Sequence, residues 1–374
     1  MKSLVRTVIL LSAVLGALAL LASAFVGRIS PETIGALSFV QFSFIYLWFI
    51  NFALIFLIVC RRHFWMLLIT VPALVCTAGE LVQSVQICPV TKSRDEIGQP
   101  VSLLSYNVRV FNAGRWLPGV GVRDYVDFVL SADRDIVCLQ EFSASTSDPK
   151  SDVAAIVGMT SARYPYHKVD FTGWINPHQK SGQAVFSKYP IVASQSIRFE
   201  DTGNSVQRVD ISVHGRTIRV LNCHLESIKL SDSELNAVVS AAGHPVESDK
   251  RELRHIGGKM SRAQQRRARQ ARAVHAEVGR SPYPVIVCGD FNDIANSYTC
   301  QTAFEGLDDA FVRSGCGIGN TYNGKLPPLR IDYICYDKSL KAYNYQRFLT
   351  ELSDHYPIAC DFDISETELN HTKK

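Results

Sequence analysis

Between Asn107 and His355, short apolar runs repeatedly stop at a residue able to hold a divalent cation, a phosphate or a proton. In order they end at Asn107 (S-Y-N-V-R), Glu141 (C-L-Q-E-F), His224 (L-N-C-H-L-E), Asp290 with Asn292 (C-G-D-F-N-D), Asp332 (L-R-I-D-Y-I) and Asp354 with His355 (S-D-H-Y-P). Each run has strand length, so the polar residue falls at a strand end. The set of carboxylates, amides and imidazoles points to metal-assisted phosphoester hydrolysis. The chain has no Walker loop, dinucleotide glycine fingerprint, HExxH or paired C-x-x-C, so the chemistries those motifs carry have no support.

The first part of the chain obeys a different solvent. No charged residue lies between Arg6 and Arg28, and none between Glu32 and Arg61. Either run can cross a hydrocarbon core of ~30 Å at ~1.5 Å per residue. A third apolar run starts at Phe64, passes Pro72 and is interrupted by Glu80. A cleaved signal peptide ending near Ala22-Ser23-Ala24 is a competing reading of the first run. Buried core helices are another, which so few polar positions disfavour. Lys2, Arg6, Arg61 and Arg62 place the N-terminus and the Arg61-Arg62 turn in the cytoplasm. With a third span, the remaining chain lies on the extracytoplasmic side.

Four segments are expected: transmembrane helices over 1–82, a polar linker over 83–99, a catalytic domain over 100–364 and a polar tail over 365–374. Within the domain the sequence predicts strands at Val101–Val108, Asp135–Gln140, Gln183–Ser187, Val206–Val213, Arg216–Cys223, Pro284–Cys288, Arg330–Tyr336 and Pro357–Phe362. A helix is expected over Arg123–Ala132, and His214-Gly215 reads as a hairpin turn. Several strands are apolar throughout, as for strands covered on both faces. Mixed sheets with helices outside follow, a layered α/β sandwich. Residues 250–280 carry ten Lys or Arg against Glu252 and Glu277. Ser261 and Gln264 match a capping box opening a helix there. That helix is either a solvated outer face or a patch for anionic lipid, lipopolysaccharide or nucleic-acid phosphates. Cys138, Cys223, Cys288, Cys335 and Cys360 read as small buried hydrophobes. Cys300 and Cys316 could pair in an oxidising compartment.

A phosphodiester needs its charge neutralised, a water activated and its leaving oxygen stabilised. Magnesium suits the first and third tasks, with manganese an alternative, and both take oxygen ligands. Glu141 is the first metal candidate. Asn107 can supply a neutral oxygen beside it or hold the phosphate. Asp290 and Asn292, two apart in an extended segment, point the same way, and Gly289 lets the backbone approach closely. Asp290 can orient water, and Asn292 can donate to a phosphoryl oxygen. Asp332 can fix the tautomer and charge of His355. Asp354 serves the metal or its waters. His224 contacts a phosphoryl oxygen or protonates the leaving group.

With these motifs in view, residues 100–364 resemble the endonuclease/exonuclease/phosphatase superfamily, which spans deoxyribonucleases, abasic-site endonucleases, sphingomyelinases and inositol-polyphosphate phosphatases. The resemblance implies a four-layer α/β/β/α sandwich and a Mg²⁺-dependent hydrolase. By motif it sets Glu141 at the metal glutamate, Asn107 at the first-strand asparagine and His224 at the N-x-H-L histidine. It sets Asp290 and Asn292 at G-D-F-N, Asp332 at the partner of the last histidine, and Asp354 and His355 at the terminal S-D-H. Gly182 to Pro190 resembles the family's central strand, and Thr321-Tyr322 its threonine–aromatic segment. Leu329-Arg330-Ile331-Asp332-Tyr333 departs from the W-C-D-R of 5-phosphatases and speaks against that branch. His224 is similar to the deoxyribonuclease and sphingomyelinase branches. Fold and chemistry are common to all branches, so the substrate does not follow. A membrane-anchored hydrolase of a lipid headgroup, an extracytoplasmic nuclease, and a non-catalytic binding protein are the three readings carried forward.

Overall fold

The computed structural model describes residues 2–200, 202–231, 233–236, 250–325 and 329–365. The expected polar tail lies outside them apart from Ser365. Helices α1 (Lys2–Phe25), α2 (Phe44–Cys60) and α3 (Leu67–Cys76) come first. Ser3–Arg28 and Pro31–Cys60 are long and apolar enough to cross a membrane, whereas Phe64–Cys76 is shorter. The three pack on one another through Ala17, Leu20, Phe44, Ala73 and Leu74. After α3 the chain brings Glu80 back to Arg28, 3.3 Å away.

The first sheet begins with β1 (Pro100–Asn107), β2 (Ile136–Ser145), β3 (Tyr166–Asn176) and β4 (Gln179–Ser187). The second holds β5 (Ile191–Arg198), β6 (Ser205–Val213), β7 (Arg216–His224), β8 (Val285–Asp290), β9 (Asp308–Asp309) and β10 (Asp332–Tyr336). The chain then returns to the first sheet with β11 (Lys341–Arg347) and β12 (Ile358–Asp363). The orders are β11-β12-β1-β2-β4-β3 and β9-β10-β8-β7-β6-β5. Only β1 with β2 and β7 with β8 run parallel among these neighbours.

Alternation along each strand makes the layers. Leu103, Ile136, Val220, Ile286 and Ile334 point into the space between the sheets. Leu104, Val137 and Tyr106 point outward onto α4 (Val122–Ala132) and α5 (Val153–Thr160). Leu221, Val287 and Tyr333 point outward onto α6 (Lys250–Gly279) and α7 (Tyr298–Ala303). The two-residue period of a strand therefore feeds two cores at once, and the result is the expected α/β/β/α sandwich. The five strand cysteines are buried, and all ten cysteines are free, Cys300 and Cys316 included.

Three expectations change. First, α6 starts at Lys250, so Ser261 is mid-helix and Gln264 accepts a hydrogen bond from Ser38. Second, the linker is strapped down: Val85–Gln86 pairs with Gly317–Ile318, and Arg94 reaches Asp135 at 2.6 Å. Third, α6 is not a bare cationic face. Arg266 meets Glu226, Arg269 and Arg272 meet Glu32, and Lys259 meets Glu234. Arg267 is fully buried against Asp293 at 3.2 Å.

Asp135 shows how such a strap holds. Its carboxylate accepts from the Ser102 backbone and hydroxyl, both at 2.9 Å, and from Arg94, with Lys188 at 3.2 Å. Burial pushes its pKa up, but the Arg94 and Ser102 hydrogen bonds and Lys188 outweigh that and hold it below 3.8. Asp135→Ala strands these donors and is expected to cost about 2–4 kcal/mol. Because the folded pKa is depressed, that contribution is whole above pH 3.8 and fades as pH falls below it. Thermal unfolding in detergent micelles should show a gap between wild type and Asp135→Ala that narrows below that pH. A gap independent of pH would contradict the assignment.

Candidate active site

The parallel pairs β1–β2 and β7–β8 end on the same side of the sandwich, which brings the strand-end residues together. Across the second sheet, His224, Asp290 and Asp332 sit in register on neighbouring strands. From the first sheet, Asn107 donates through Nδ2 to Asp290 Oδ2 at 3.0 Å and to Glu141 Oε1 at 3.2 Å. The two sheets are thus joined at the site by one amide.

Local backbone features aim these side chains. Strict alternation would send Gln140 inward and Glu141 outward. A bulge between Gln140 and Phe142, with Glu141 at φ 51°, turns Glu141 inward as well and leaves Phe142 in the outer core. Gly289 faces the Cys223 carbonyl so closely that a Cβ would overlap it. Asn292 corrects the expectation of an extended segment. It is left-handed at φ 52°, and its N–H donates to Asp290 Oδ1 at 2.8 Å. Its side chain meets Asp290 by this turn rather than by strand spacing, with Nδ2 3.1 Å from Oδ2. Asn tolerates this conformation better than most residues.

Asp332 and His355 form the expected pair, with His355 Nδ1 3.0 Å from Oδ2 and 3.2 Å from Oδ1. Thr321 Oγ1 accepts the Asp332 N–H at 3.0 Å, and Tyr322 packs edge-on against the imidazole. His355 Nε2 lies 3.8 Å from Asp290 Oδ2. Burial pushes the His355 pKa down, but Asp332 and Asp290 outweigh it and raise it well above 6.5. Burial, with the Asp332 charge, lifts Asp290 to about 6 against the pull of His355. Burial also raises Glu141 and lowers His224. Neutral pH therefore leaves His355 charged and His224 neutral.

Asp290, Asp332 and His355 each offer a ligand atom within 4.8 Å of the others, all buried. Glu141 and Asp290 flank His224 Nε2 at 3.7 and 3.9 Å, and that buried nitrogen has no hydrogen-bond partner. Glu141 and Asp290, crowded where burial resists their ionisation, with Asp332 beside them, are a donor set that a divalent cation suits. Asn107 faces this set with its nitrogen, while its oxygen accepts the Arg109 N–H at 3.0 Å. Asp354 stands apart from that cluster and pairs with Arg109 at 3.3 Å.

Sequence reasoning passed over several residues. Arg109 stacks on Trp116 with its guanidinium 4.2 Å from the ring centre. It opens a run, Arg109 to Asn112, with φ between 43° and 58°. Gln140, Gln183 and Asn222 form a polar floor between the sheets, with Gln140 Nε2 2.7 Å from Asn222 Oδ1 and Gln183 Nε2 2.8 Å from the Asn222 carbonyl. The signal was present at Asn222, a lone amide between Val220-Leu221 and Cys223. Ser353 Oγ donates to the Asn107 carbonyl at 2.8 Å and accepts the His355 N–H, tying the last loop to the first strand.

Comparison with known proteins fits this architecture. The profile of the Endonuclease/Exonuclease/phosphatase family matches residues 104–355, and that of a domain of unknown function (DUF8431) matches residues 6–79. A search of curated proteins returned no match. Similar solved structures include an endonuclease/exonuclease/phosphatase family protein from Leptotrichia buccalis, at 15% identity, covering 70% of this chain and 99% of that one with a TM-score of 0.50. Another, from Beutenbergia cavernae, has 19% identity, coverage of 71% and 72% and a TM-score of 0.49. Sphingomyelinase C from Streptomyces griseocarneus has 19% identity, coverage of 70% and 99% and a TM-score of 0.45. Such identities speak for the fold alone. With the profile spanning the whole set of strand-end residues, the chain belongs to the endonuclease/exonuclease/phosphatase family and is a phosphoester hydrolase of that type.

Proposed function

We propose that this protein is a membrane-anchored, Mg²⁺- or Mn²⁺-dependent phosphoester hydrolase acting on a lipid headgroup or another phosphoester at the membrane surface. The observation that carries the reading is the convergence of Asp290, Asp332 and His355, within 4.8 Å, beside Glu141. Enzymes of the family are typically dependent on a divalent metal. Glu141, Asp290 and the Asn107 side chain, once its oxygen is turned inward, would hold the cation, with Asp354 serving its waters. A cation there would neutralise phosphoryl oxygens and stabilise the leaving alkoxide.

Asp290, with a pKa near 6, is suited to take a proton from the attacking water at neutral pH. Its geometry is fixed by the Asn292 N–H. Charged His355, held by Asp332, presents Nε2–H toward the same space and would bind a phosphoryl oxygen as negative charge develops. Neutral His224 and the Asn292 amide supply further polar contacts.

Outward-facing side chains support the anchor. Leu11, Leu15 and Leu18 on α1, and Phe49, Phe52 and Phe56 on α2, are exposed. Only 33% and 17% of the two apolar windows are buried, unlike the core helices of a soluble protein. The catalytic domain packs against the α1–α2 connection: Gly27 abuts Asn296, and Glu32 meets Arg272 at 2.7 Å. That end is opposite Arg61-Arg62, so the positive-inside rule favours the extracytoplasmic side.

The test is the full chain in detergent micelles, offered phospholipids, sphingomyelin, plasmid DNA and sugar phosphates. Hydrolysis of a lipid phosphoester is expected, abolished by EDTA and restored by excess Mg²⁺ or Mn²⁺. Degradation of DNA without lipid turnover would replace this reading with that of a nuclease. Hydrolysis that survives exhaustive chelation would overturn the metal dependence.

A further inference from the structure

The cleft over the site, about 610 Å³, reaches Glu141, Asp290 and His355, yet one of its lining residues comes from outside the catalytic domain. Phe42 belongs to the connection between α1 and α2 and precedes α2 by two positions. The same cleft is lined by Ile228, Leu230, Leu235, Ile294 and Leu329. A ligand that is only phosphate and sugar gains nothing from six apolar side chains. One that carries a hydrocarbon chain gains from each.

Phe42 is held where it is. The connection that carries it is fixed to α6 by the Ser38–Gln264 hydrogen bond and by Glu32 with Arg269 and Arg272. The last turn of α1, from which the connection leaves, is tied to the loop after β8 by Asn296, whose Nδ2 donates to the Ser23 carbonyl at 3.2 Å. Beyond Phe42, α2 carries the exposed side chains of Phe49, Phe52 and Phe56. Phe42 therefore joins the cleft to the segment that would face hydrocarbon in the anchored protein. Beside His355 the cleft is lined by Arg109 and Lys229, paired with Asp354 and Glu226, and by the acids Glu141, Asp290 and Asp293.

We propose that the α1–α2 connection is a wall of the active site, and that the substrate is an amphiphilic phosphoester whose hydrocarbon chain lies against Phe42 while its phosphate reaches Asp290 and His355. The helical hairpin then selects the substrate as well as anchoring the enzyme. This inference rests on the reading of the site as a membrane-surface phosphoester hydrolase.

The experiment compares dioleoyl and dibutyryl phosphatidylglycerol with the full chain in micelles. Wild type should favour the long-chain ester in kcat/KM. Phe42→Ala should lower the long-chain to short-chain ratio about tenfold, and Phe42→Leu, which keeps an apolar side chain, should largely preserve it. Equal ratios in wild type and Phe42→Ala, with unchanged unfolding temperature, would overturn the inference and leave the hydrolase reading intact. A second readout does not need turnover. Calorimetric binding of both esters to Asp290→Asn, with and without Phe42→Ala, should show the same chain-length preference and the same loss. Chain-length-dependent binding without hydrolysis by wild type would rule out this headgroup as the substrate and sustain the wall. Binding indifferent to chain length would sink the wall.

Discussion

Asp290→Asn is expected to lower kcat by about 10³-fold or more while the protein becomes no less stable. The substitution keeps the size of the side chain and, with its oxygen in the Oδ1 position, the contact to the Asn292 N–H. It removes the charge and sets an NH2 before the Asn107 and Asn292 amides, which must turn their oxygens to it. Without it, the attacking water loses its base and the cation loses a ligand. The stability expectation has the opposite sign from the activity. Burial holds Asp290 at about 6, above its ordinary 3.8, so the folded state binds the proton more tightly than the unfolded chain. Ionisation of Asp290 therefore destabilises the fold as pH rises from 3.8 through about 6. Asn removes that penalty, and in EDTA at pH 7 the unfolding temperature of Asp290→Asn should equal or exceed that of wild type. The acid side of the wild-type rate profile should fall at or below about pH 6, because a bound cation only favours the carboxylate. A variant that loses activity by unfolding, with a lower unfolding temperature in EDTA, would show that Asp290 is structural.

Much of this site could be read from the sequence because strand ends are local. An apolar run that stops at Asp290, or at Asp332, states both the strand and the position of the functional group. The same reasoning placed the buried cysteines, since a small apolar residue inside a two-sided strand has nowhere else to go. β3, β5 and β11 escaped because they lack such runs. Five of the eight residues of β5 are exposed and the other three half-buried, and β3 has no fully buried residue. Edge strands need no apolar alternation, so periodicity is silent there.

Other features were hidden because their partners are remote. Ten basic residues in 250–280 look like a patch for anions only while Glu32, Glu226 and Asp293 are unseen. Folding brings those acids to α6, and the helix ties the loop after β8 to the α1–α2 connection. The left-handed turns at Asn292 and Arg109 were equally out of reach, because no glycine announces them. The bulge at Glu141 inverts the face that alternation assigns, yet the residue had already been chosen by its chemistry. Alternation along the strand gives no account of how Glu141 points inward.

The Asp332–His355 pair is expected to behave as one unit. His355→Ala should lower kcat by about 10²–10³-fold, Asp332→Asn by about 10²-fold, and the double variant no further than His355→Ala alone. The reason lies in the proton. His355 keeps its charge through neutral pH because Asp332 and Asp290 outweigh its burial. With Asp332 neutral, the largest charge opposing burial is gone and the imidazole loses its proton at lower pH. The alkaline limb of the Asp332→Asn rate profile should therefore move toward acid, which a purely structural aspartate would not cause. The pair also sits on Thr321 and Tyr322, so its position would survive the loss of charge. Unfolding temperatures within a few degrees of wild type should accompany the kinetic loss. Fully additive effects of the two substitutions, with an unmoved alkaline limb, would mean that Asp332 and His355 act separately and that the charged imidazole has no part in binding the phosphoryl group.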